Sequence, residues 1–365
     1  MLNKNKDLFW IDEVLKLAKK GIGKVSPNPL VGCIIVKNEK IVGQGYHQKQ
    51  GEPHAEINAL KQAGIKAKGA SLYTNLEPCC HWGKTPPCTE SIIRAGIKEV
   101  ISAIEDPNPL VKGQGFKKLK QAKINVRFGI HSEKAININK SFIKYITQKK
   151  PYVILKSAIS LDGKISTQNG SSQWITSLKA RRFGHQLRSE TDAILVGAET
   201  IRKDNPTLSS HGKGKNPIKM IFTTNGKIST QAHIFNSESK TFIFHTKEIN
   251  PNHSKKYFNS EWFDLSKSHK KKVASNLLTL CAENKISKIL IEGGGETSAF
   301  FLENNEVDEV YFFIAPLLIG GKTAKTAFEG LGFKSIQQSI SLLNPSTQWI
   351  GPDLLYNARL KPLQK

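Results

Sequence analysis

Two α/β domains in tandem are predicted by three features of the sequence. Apolar, β-branched runs alternate with segments of helical periodicity through both halves, the pattern of strands and helices packed in layers. The 365 residues suffice for two cores of ordinary size, and 38% apolar with 23% charged residues is a globular composition. Between the halves, NINKSFIKYITQKK (137–150) reads as a polar, Lys-rich helix that stops at Pro151. The boundary is placed there, giving domains 1–148 and 149–365.

In order, DLFWIDEVLKLAKK (7–20) sets Leu8, Ile11, Leu15 and Ala18 at three-to-four spacing, an amphipathic helix. GIGKVSPNP (21–29) breaks it, and LVGCIIV (30–36) reads as a short buried strand. A helix HAEINALKQAG (54–64), a strand ASLYTNL (70–76), a helix TESIIRAG (89–96) and a strand EVISAI (99–104) follow. The second half repeats the alternation. Its strands are read in YVILKSAIS (152–160), AILVG (193–197), IKMIFTT (218–224), TFIFHT (241–246), KILIEGGG (288–295) and VYFFIAPLLIG (310–320). Its helices are read in LKARRFGHQLRSE (178–190) and ETSAFFLEN (296–304). Residues 247–272 are polar and poorly patterned, and read as a surface excursion.

Composition narrows the function. No run of eighteen apolar residues predicts a membrane span, and the charged start MLNKNKDLFWIDEV lacks the apolar core of a secretory signal. A cytoplasmic protein is expected. Five cysteines make an odd count, so metal ligation or burial is expected rather than a disulfide framework. The net charge of +24, from 54 basic against 30 acidic residues, would suit a polyanion. Lys far exceeds Arg, however, and the charges are scattered in short runs such as SHKKKV (268–273), which points to codon drift. The two GKT triplets (83–85 and 321–323) lack the glycine a phosphate loop needs five residues upstream, where Pro78 and Pro316 stand.

The chemistry concentrates in GEPHAE (51–56) and EPCCHWGKTPPC (77–88). A His at a helix start and two thiolates at the start of a later helix supply three zinc ligands and leave a fourth position for water, the catalytic pattern. Glu56, two residues after His54, stands where it can move that water's proton. Such a set carries out hydrolytic deamination of a pyrimidine-like ring. The motif resembles the cytidine/deoxycytidylate deaminase superfamily, but no Cys follows three residues after Cys79. The eight-residue gap to Cys88, with PNPLVGCIIV (27–36) and GYHQKQGEPHAE (45–56), resembles instead the bifunctional riboflavin-biosynthesis deaminase–reductase family.

That resemblance implies a cytidine-deaminase-like three-layer α/β/α fold, one Zn²⁺ on His54, Cys79 and Cys88, and Glu56 as proton shuttle. Cys80 falls where the family carries no ligand. Asn28 and His47 are implied to contact the pyrimidine or ribosyl group; Lys84 and Thr85, from their place in the long loop, are expected to reach the substrate phosphate.

The second half alone says only that GGGETS (293–298), between a strand and a helix, suits a phosphate at a helix N-terminus. It is not a clean dinucleotide fingerprint, since Ser replaces the third Gly. LKSAISLDGKIS (155–166), the stretch 171–208 and ILIEGGGETSAFF (289–301) resemble the reductase domain of the same family. This implies a dihydrofolate-reductase-like fold, NADPH as cofactor, and Lys156 and Asp204 handling protons at the opened sugar. NADPH is implied to meet Ala158, Trp174, Thr200, Asp204 and Gly294, Gly295, Glu296, Thr297, Ser298, Ala299 and Phe300. The substrate is implied to meet Ser172, Arg188, Leu208, His211 and Glu292, with Arg188 as forked donor to the 5′-phosphate. The sequence departs from the family at His211, where Arg is usual. The expected partner is a phosphorylated pyrimidine, with neither membrane nor nucleic acid; a homo-oligomer is compatible. A tRNA deaminase with an added nucleotide-binding domain fits the HAE motif and the charge, but neither the Cys79–Cys88 spacing nor the second domain.

Overall fold

The computed structural model describes residues 2–82, 86–236 and 239–361, and the chain falls into two units, Met1–Lys149 and Lys150–Lys365. Lys84 and Thr85 lie outside the described residues.

Unit 1 runs α1 (Leu2–Ala18), β1 (Gly32–Lys37), β2 (Lys40–Tyr46), α2 (Ala55–Ala63), β3 (Ser71–Thr74), α3 (Cys88–Arg94), β4 (Glu99–Ser102), α4 (Gln114–Gln121), β5 (Asn125–Phe128), α5 (Ser132–Ile138) and α6 (Lys140–Gln148). The sheet order is β2-β1-β3-β4-β5, antiparallel around β1 and parallel from β3 to β5. Two glycines explain the layering. A Cβ on Gly32 would lie 2.3 Å from the carbonyl oxygen of Val14, so α1 packs directly on that face of β1. A Cβ on Gly43 would lie 2.3 Å from the carbonyl oxygen of Ala59, so α2 packs equally close. Gly43 pairs with Ile35, three residues along β1 from Gly32 and hence on the opposite face. The two helices therefore cover the two faces, which makes three layers. Ile11, Val14, Ile34, Ile35, Leu72 and Ile101 fill the interior. Each such side chain contributes about 1.5–3 kcal/mol of burial.

Unit 2 runs β6 (Tyr152–Ser160), α7 (Leu178–Ser189), β7 (Ala193–Gly197), α8 (Ala198–Asp204), β8 (Ile218–Thr223), β9 (Thr241–His245), α9 (Pro251–Ser254), β10 (Ser260–Asp264), α10 (Val273–Glu283), β11 (Lys288–Ile291), α11 (Gly295–Glu303), β12 (Glu309–Ala315), β13 (Leu342–Ile350) and β14 (Asp353–Leu360). Its nine-stranded sheet is ordered β10-β9-β8-β7-β11-β6-β12-β14-β13. All pairings from β10 to β12 are parallel, and β14 and β13 close that side as an antiparallel hairpin. Strands β7 and β9 are buried throughout, as parallel strands covered on both faces must be. The Ser177 side chain accepts from the Ala180 N–H and so starts α7.

The stretch 247–272 differs from its reading as a surface excursion. It contains β10, which extends the sheet beside β9, and it buries Tyr257 and Leu265. An edge strand half open to water carries too little alternation to show in sequence.

Candidate active sites

Unit 1 gathers its chemistry at two helix starts. His54 is the extended residue preceding α2, which places Glu56 in the first turn with its carboxyl buried. Cys88 opens α3. Cys79 does not share that helix start, contrary to expectation. It sits in the connection after β3, where its sulfur accepts from the Cys88 N–H at 3.3 Å. A helix from Pro78 would need the Cys79–Cys88 connection to be helical, and the proline-rich end of that connection precludes it.

His54 Nδ1 lies 3.3 Å from Cys88 Sγ and 3.5 Å from Cys79 Sγ, and the three donor atoms fall within 4.8 Å of one another. A tetrahedral zinc with Zn–N about 2.0 Å and Zn–S about 2.3 Å separates N and S ligands by roughly 3.5 Å. The donor set fits zinc. Cys80, next in the chain, is outside this cluster and its thiol is raised by burial.

The electrostatics match a site prepared for a cation. The Cys79 thiol is pushed down by its contacts with Cys88 and His54, while Cys88 is pushed up by sharing a proton with Cys79 and by burial. His54 is raised to about 9, mainly by Cys79. Glu56 Oε2 stands 3.5 Å from Cys88 Sγ, and burial raises its carboxyl above the usual range. A buried carboxyl beside a metal-ligand cluster can hold and release a proton.

The cleft in front holds about 370 Å³, and Asn28 and His47 line it. They meet each other: Asn28 Nδ2 is 3.2 Å from His47 Nε2, and His47 Nδ1 is 3.3 Å from the Pro53 carbonyl. This arrangement fits a neutral imidazole with its proton on Nδ1, and burial lowers the His47 pKa in the same direction. Two acidic wall residues were missed in sequence. Glu77 is buried and accepts from the N–H groups of Asp106, Gly113 and Phe116, tying the 105–113 loop to the cysteine connection. Asp106 faces the cleft with its carboxyl raised by burial to about 7. The only sequence signal was their place at the ends of strand-like runs, where α/β sites form.

In unit 2 the site lies at the carboxyl ends of the central strands, β6, β7 and β11. Lys156 and Ala158 come from β6, Glu292 and Gly294 from the end of β11, and Thr200 and Asp204 from α8 after β7. Trp174 and Ser172 close the cleft; Ser172 donates to Asp204 at 3.3 Å, and the Arg181 guanidinium stacks 4.2 Å over Trp174.

The expected fork of Arg188 is already engaged. Its Nε and Nη2 donate to both Glu292 oxygens at 2.9 and 3.0 Å, and Nη1 donates to the Ser209 carbonyl. Lys156 Nζ lies 3.5 Å from the same carboxylate. Burial alone would raise Glu292, but Arg188 and Lys156 outweigh it and hold the carboxyl at about 2. Leu208 borders the cleft but is 2% exposed and packs in the core. Of the 294–300 stretch, Gly294 reaches the cleft; Gly295, Thr297, Ser298 and Ala299 are buried in α11, and Phe300 stacks on Phe222. His211 lines the cleft, stacked on His185, a residue the sequence reading passed over.

Residues 151–356 match the family described as RibD C-terminal domain, and residues 4–104 match the cytidine and deoxycytidylate deaminase zinc-binding region. The riboflavin biosynthesis protein RibD of Synechocystis is 41% identical over 359 residues, covering 95% of this chain and 94% of that protein. RibD of Aquifex aeolicus is 43% identical, covering 96% and 97%. Among solved structures, Acinetobacter baumannii RibD superposes with a TM-score of 0.88 at 33% identity, covering 98% of this chain and 99% of that one. A Thermotoga maritima diaminohydroxyphosphoribosylaminopyrimidine deaminase/5-amino-6-(5-phosphoribosylamino)uracil reductase gives 0.86 at 34% identity, covering 98% and 100%.

Proposed function

The chain belongs to the RibD family of riboflavin-biosynthesis proteins, and on that premise we propose how its own residues divide two consecutive reactions. The zinc-binding N-terminal domain is a hydrolytic deaminase and the C-terminal domain an NADPH-dependent reductase. Together they deaminate 2,5-diamino-6-(5-phosphoribosylamino)pyrimidin-4(3H)-one and reduce its ribosyl group to ribityl. The carrying observation is the cluster of His54, Cys79 and Cys88 with buried Glu56 against it.

In unit 1, zinc held by His54, Cys79 and Cys88 would acidify a water in its fourth position toward neutrality. Glu56 takes a proton from the attacking water and delivers it to the departing nitrogen. A C–O bond forms, the C–N bond breaks and ammonia leaves. Burial serves Glu56 here, because a carboxyl raised above its usual range gives the proton back. Asn28 and His47 hold the pyrimidine edge, their mutual contact fixing both. Glu77 orders the wall carrying Asp106.

In unit 2, NADPH would supply hydride to C1′ of the opened sugar. Lys156 faces the opened sugar, and Glu292 with Arg188 anchors the ammonium. Asp204, oriented by Ser172, receives or returns a proton. Gly294 and Thr200 border the cofactor side. Five free thiols and thiolate ligands suit a reducing compartment, so we place the reactions in the cytoplasm. No helix among the described residues is long and apolar enough to cross a membrane.

Glu56→Gln tests the deaminase assignment. Zinc content should stay at one per chain, ammonia release should fall by at least about 100-fold, and NADPH oxidation with the deaminated substrate should persist. Deamination by Glu56→Gln at the wild-type rate would remove Glu56 from the mechanism.

A further inference from the structure

The reductase cleft is short of positive charge for the substrate it must hold. Of the charged groups lining it, Lys156, Arg181 and Arg188 stand against Asp204 and Glu292, which leaves one net positive charge, and Lys156 and Arg188 share the Glu292 carboxylate. A phosphate monoester brings roughly −1.5 to −2 near neutral pH. Three guanidinium donor directions of Arg188 are taken by Glu292 and Ser209.

Beside this trio two imidazoles lie face to face. The rings of His185, on α7, and His211, in the loop between α8 and β8, are stacked with centroids 4.0 Å apart and planes 23° apart. Among the described residues no hydrogen bond engages any of their four ring nitrogens, and both rings border the cleft. His211 is held in a left-handed backbone conformation, φ 47°, within a loop that also carries Lys213 and Lys215. The charged groups facing the pair are Arg188 from α7, Lys156 from β6 and Glu292 from β11. Two stacked imidazolium rings beside Arg188 would repel, which disfavours a charge on both at once. Burial first, then His211 and Arg188, hold His185 at about 4, and burial with Arg188 lowers His211.

We infer that His185 and His211 form a proton-gated phosphate subsite, taking a proton from solvent when the substrate's 5′-phosphate dianion binds. This rests on the reductase reading above. The dianion supplies an opposite charge beside the rings, so imidazolium is stabilised in the complex. Bound phosphate and bound proton are therefore linked, and substrate affinity weakens as pH rises.

The test compares wild type, His211→Arg and His211→Asn in NADPH-dependent reduction of the deaminated substrate from pH 5.5 to 8.0. The substrate's own phosphate titration is common to all three and cancels in ratios. The wild-type KM divided by that of His211→Arg should climb with pH, by up to about tenfold per unit for one linked proton. The kcat ratio and the KM ratio for NADPH should stay flat across the range. A substrate KM ratio that does not change with pH overturns the inference, as does a slope in the NADPH KM instead. Calorimetry with sulfate, which does not titrate in this range, needs no turnover. In two buffers of different ionisation enthalpy, wild type should take up a proton on binding and His211→Asn should not. If sulfate binding shows that proton uptake while no variant oxidises NADPH, the reductase reading fails and the subsite stands. Equal uptake by both proteins sinks the subsite.

Discussion

Glu292 shows how much one carboxylate can carry. Its side chain is 10% exposed, grips Arg188 with both oxygens and draws Lys156 to 3.5 Å. Its pKa falls from 4.5 to about 2 on folding. A group depressed in the folded state contributes stability above its unfolded pKa and loses it as pH falls toward the folded one. The shift corresponds to about 3 kcal/mol, present at pH 7 and lost between about pH 4.5 and 2. Glu292→Gln leaves two largely covered cations without their counter-ion and should cost about 3 kcal/mol at pH 7 in urea unfolding. The gap to wild type should narrow on going to pH 3, and a gap independent of pH would mean that the ion pairs do not act through charge. At this scale the sequence was most legible where chemistry demands a residue type. The clustering of His54, Cys79 and Cys88 was readable because metal ligation restricts identity and spacing, and the place of Glu56 beside them because it follows His54 by two residues at the same helix start. The engagement of Arg188 by Glu292 was not, since 104 residues separate them and only the strand order brings them together. His185 lay hidden for a similar reason, as a helix residue whose partner sits in a loop.

Elements became legible in proportion to their burial. Strands β1, β7, β9 and β11 are buried and apolar, and their runs announce them. Strand β2, with Gly43 and Gly45, reads poorly because the close approach of α2 replaced side chains with glycine. Strand β10 and the exposed β13 carry little apolar pattern either. The same close approach gives a prediction. Gly32→Val would push a side chain into the Val14 carbonyl and the Ala18 amide, forcing α1 off the sheet. The cost should exceed about 2 kcal/mol, read as a lowered midpoint in thermal unfolding. A substitution tolerated without change in midpoint would show that α1 does not pack there. Since the zinc donors come from the starts of α2 and α3 and the connection after β3, residual folded Gly32→Val protein should still bind zinc.

Across the whole molecule, charge and chemistry separate. The +24 charge is spread along the chain, whereas both clefts rest on a few buried, paired groups. Binding to tRNA should therefore be of the counter-ion type, falling steeply with salt and lost at physiological ionic strength. Micromolar binding that persists there would revive a nucleic-acid substrate. The two chemistries also draw on separate stretches of chain. His54, Glu56, Cys79 and Cys88 all lie in the unit ending at Lys149, and Lys156, Arg188, Asp204 and Glu292 all lie in the unit beginning at Lys150. Stripping zinc with a chelator should thus abolish ammonia release while NADPH-dependent reduction of the deaminated substrate continues within about twofold of its rate. Readdition of one zinc per chain should restore ammonia release. Cys88→Ser should reproduce the chelated state permanently, and Cys80→Ser, outside the donor cluster, should behave as wild type. If chelation stopped the reduction as well, zinc would be needed for more than the first reaction, and the division of labour between the units would have to be redrawn.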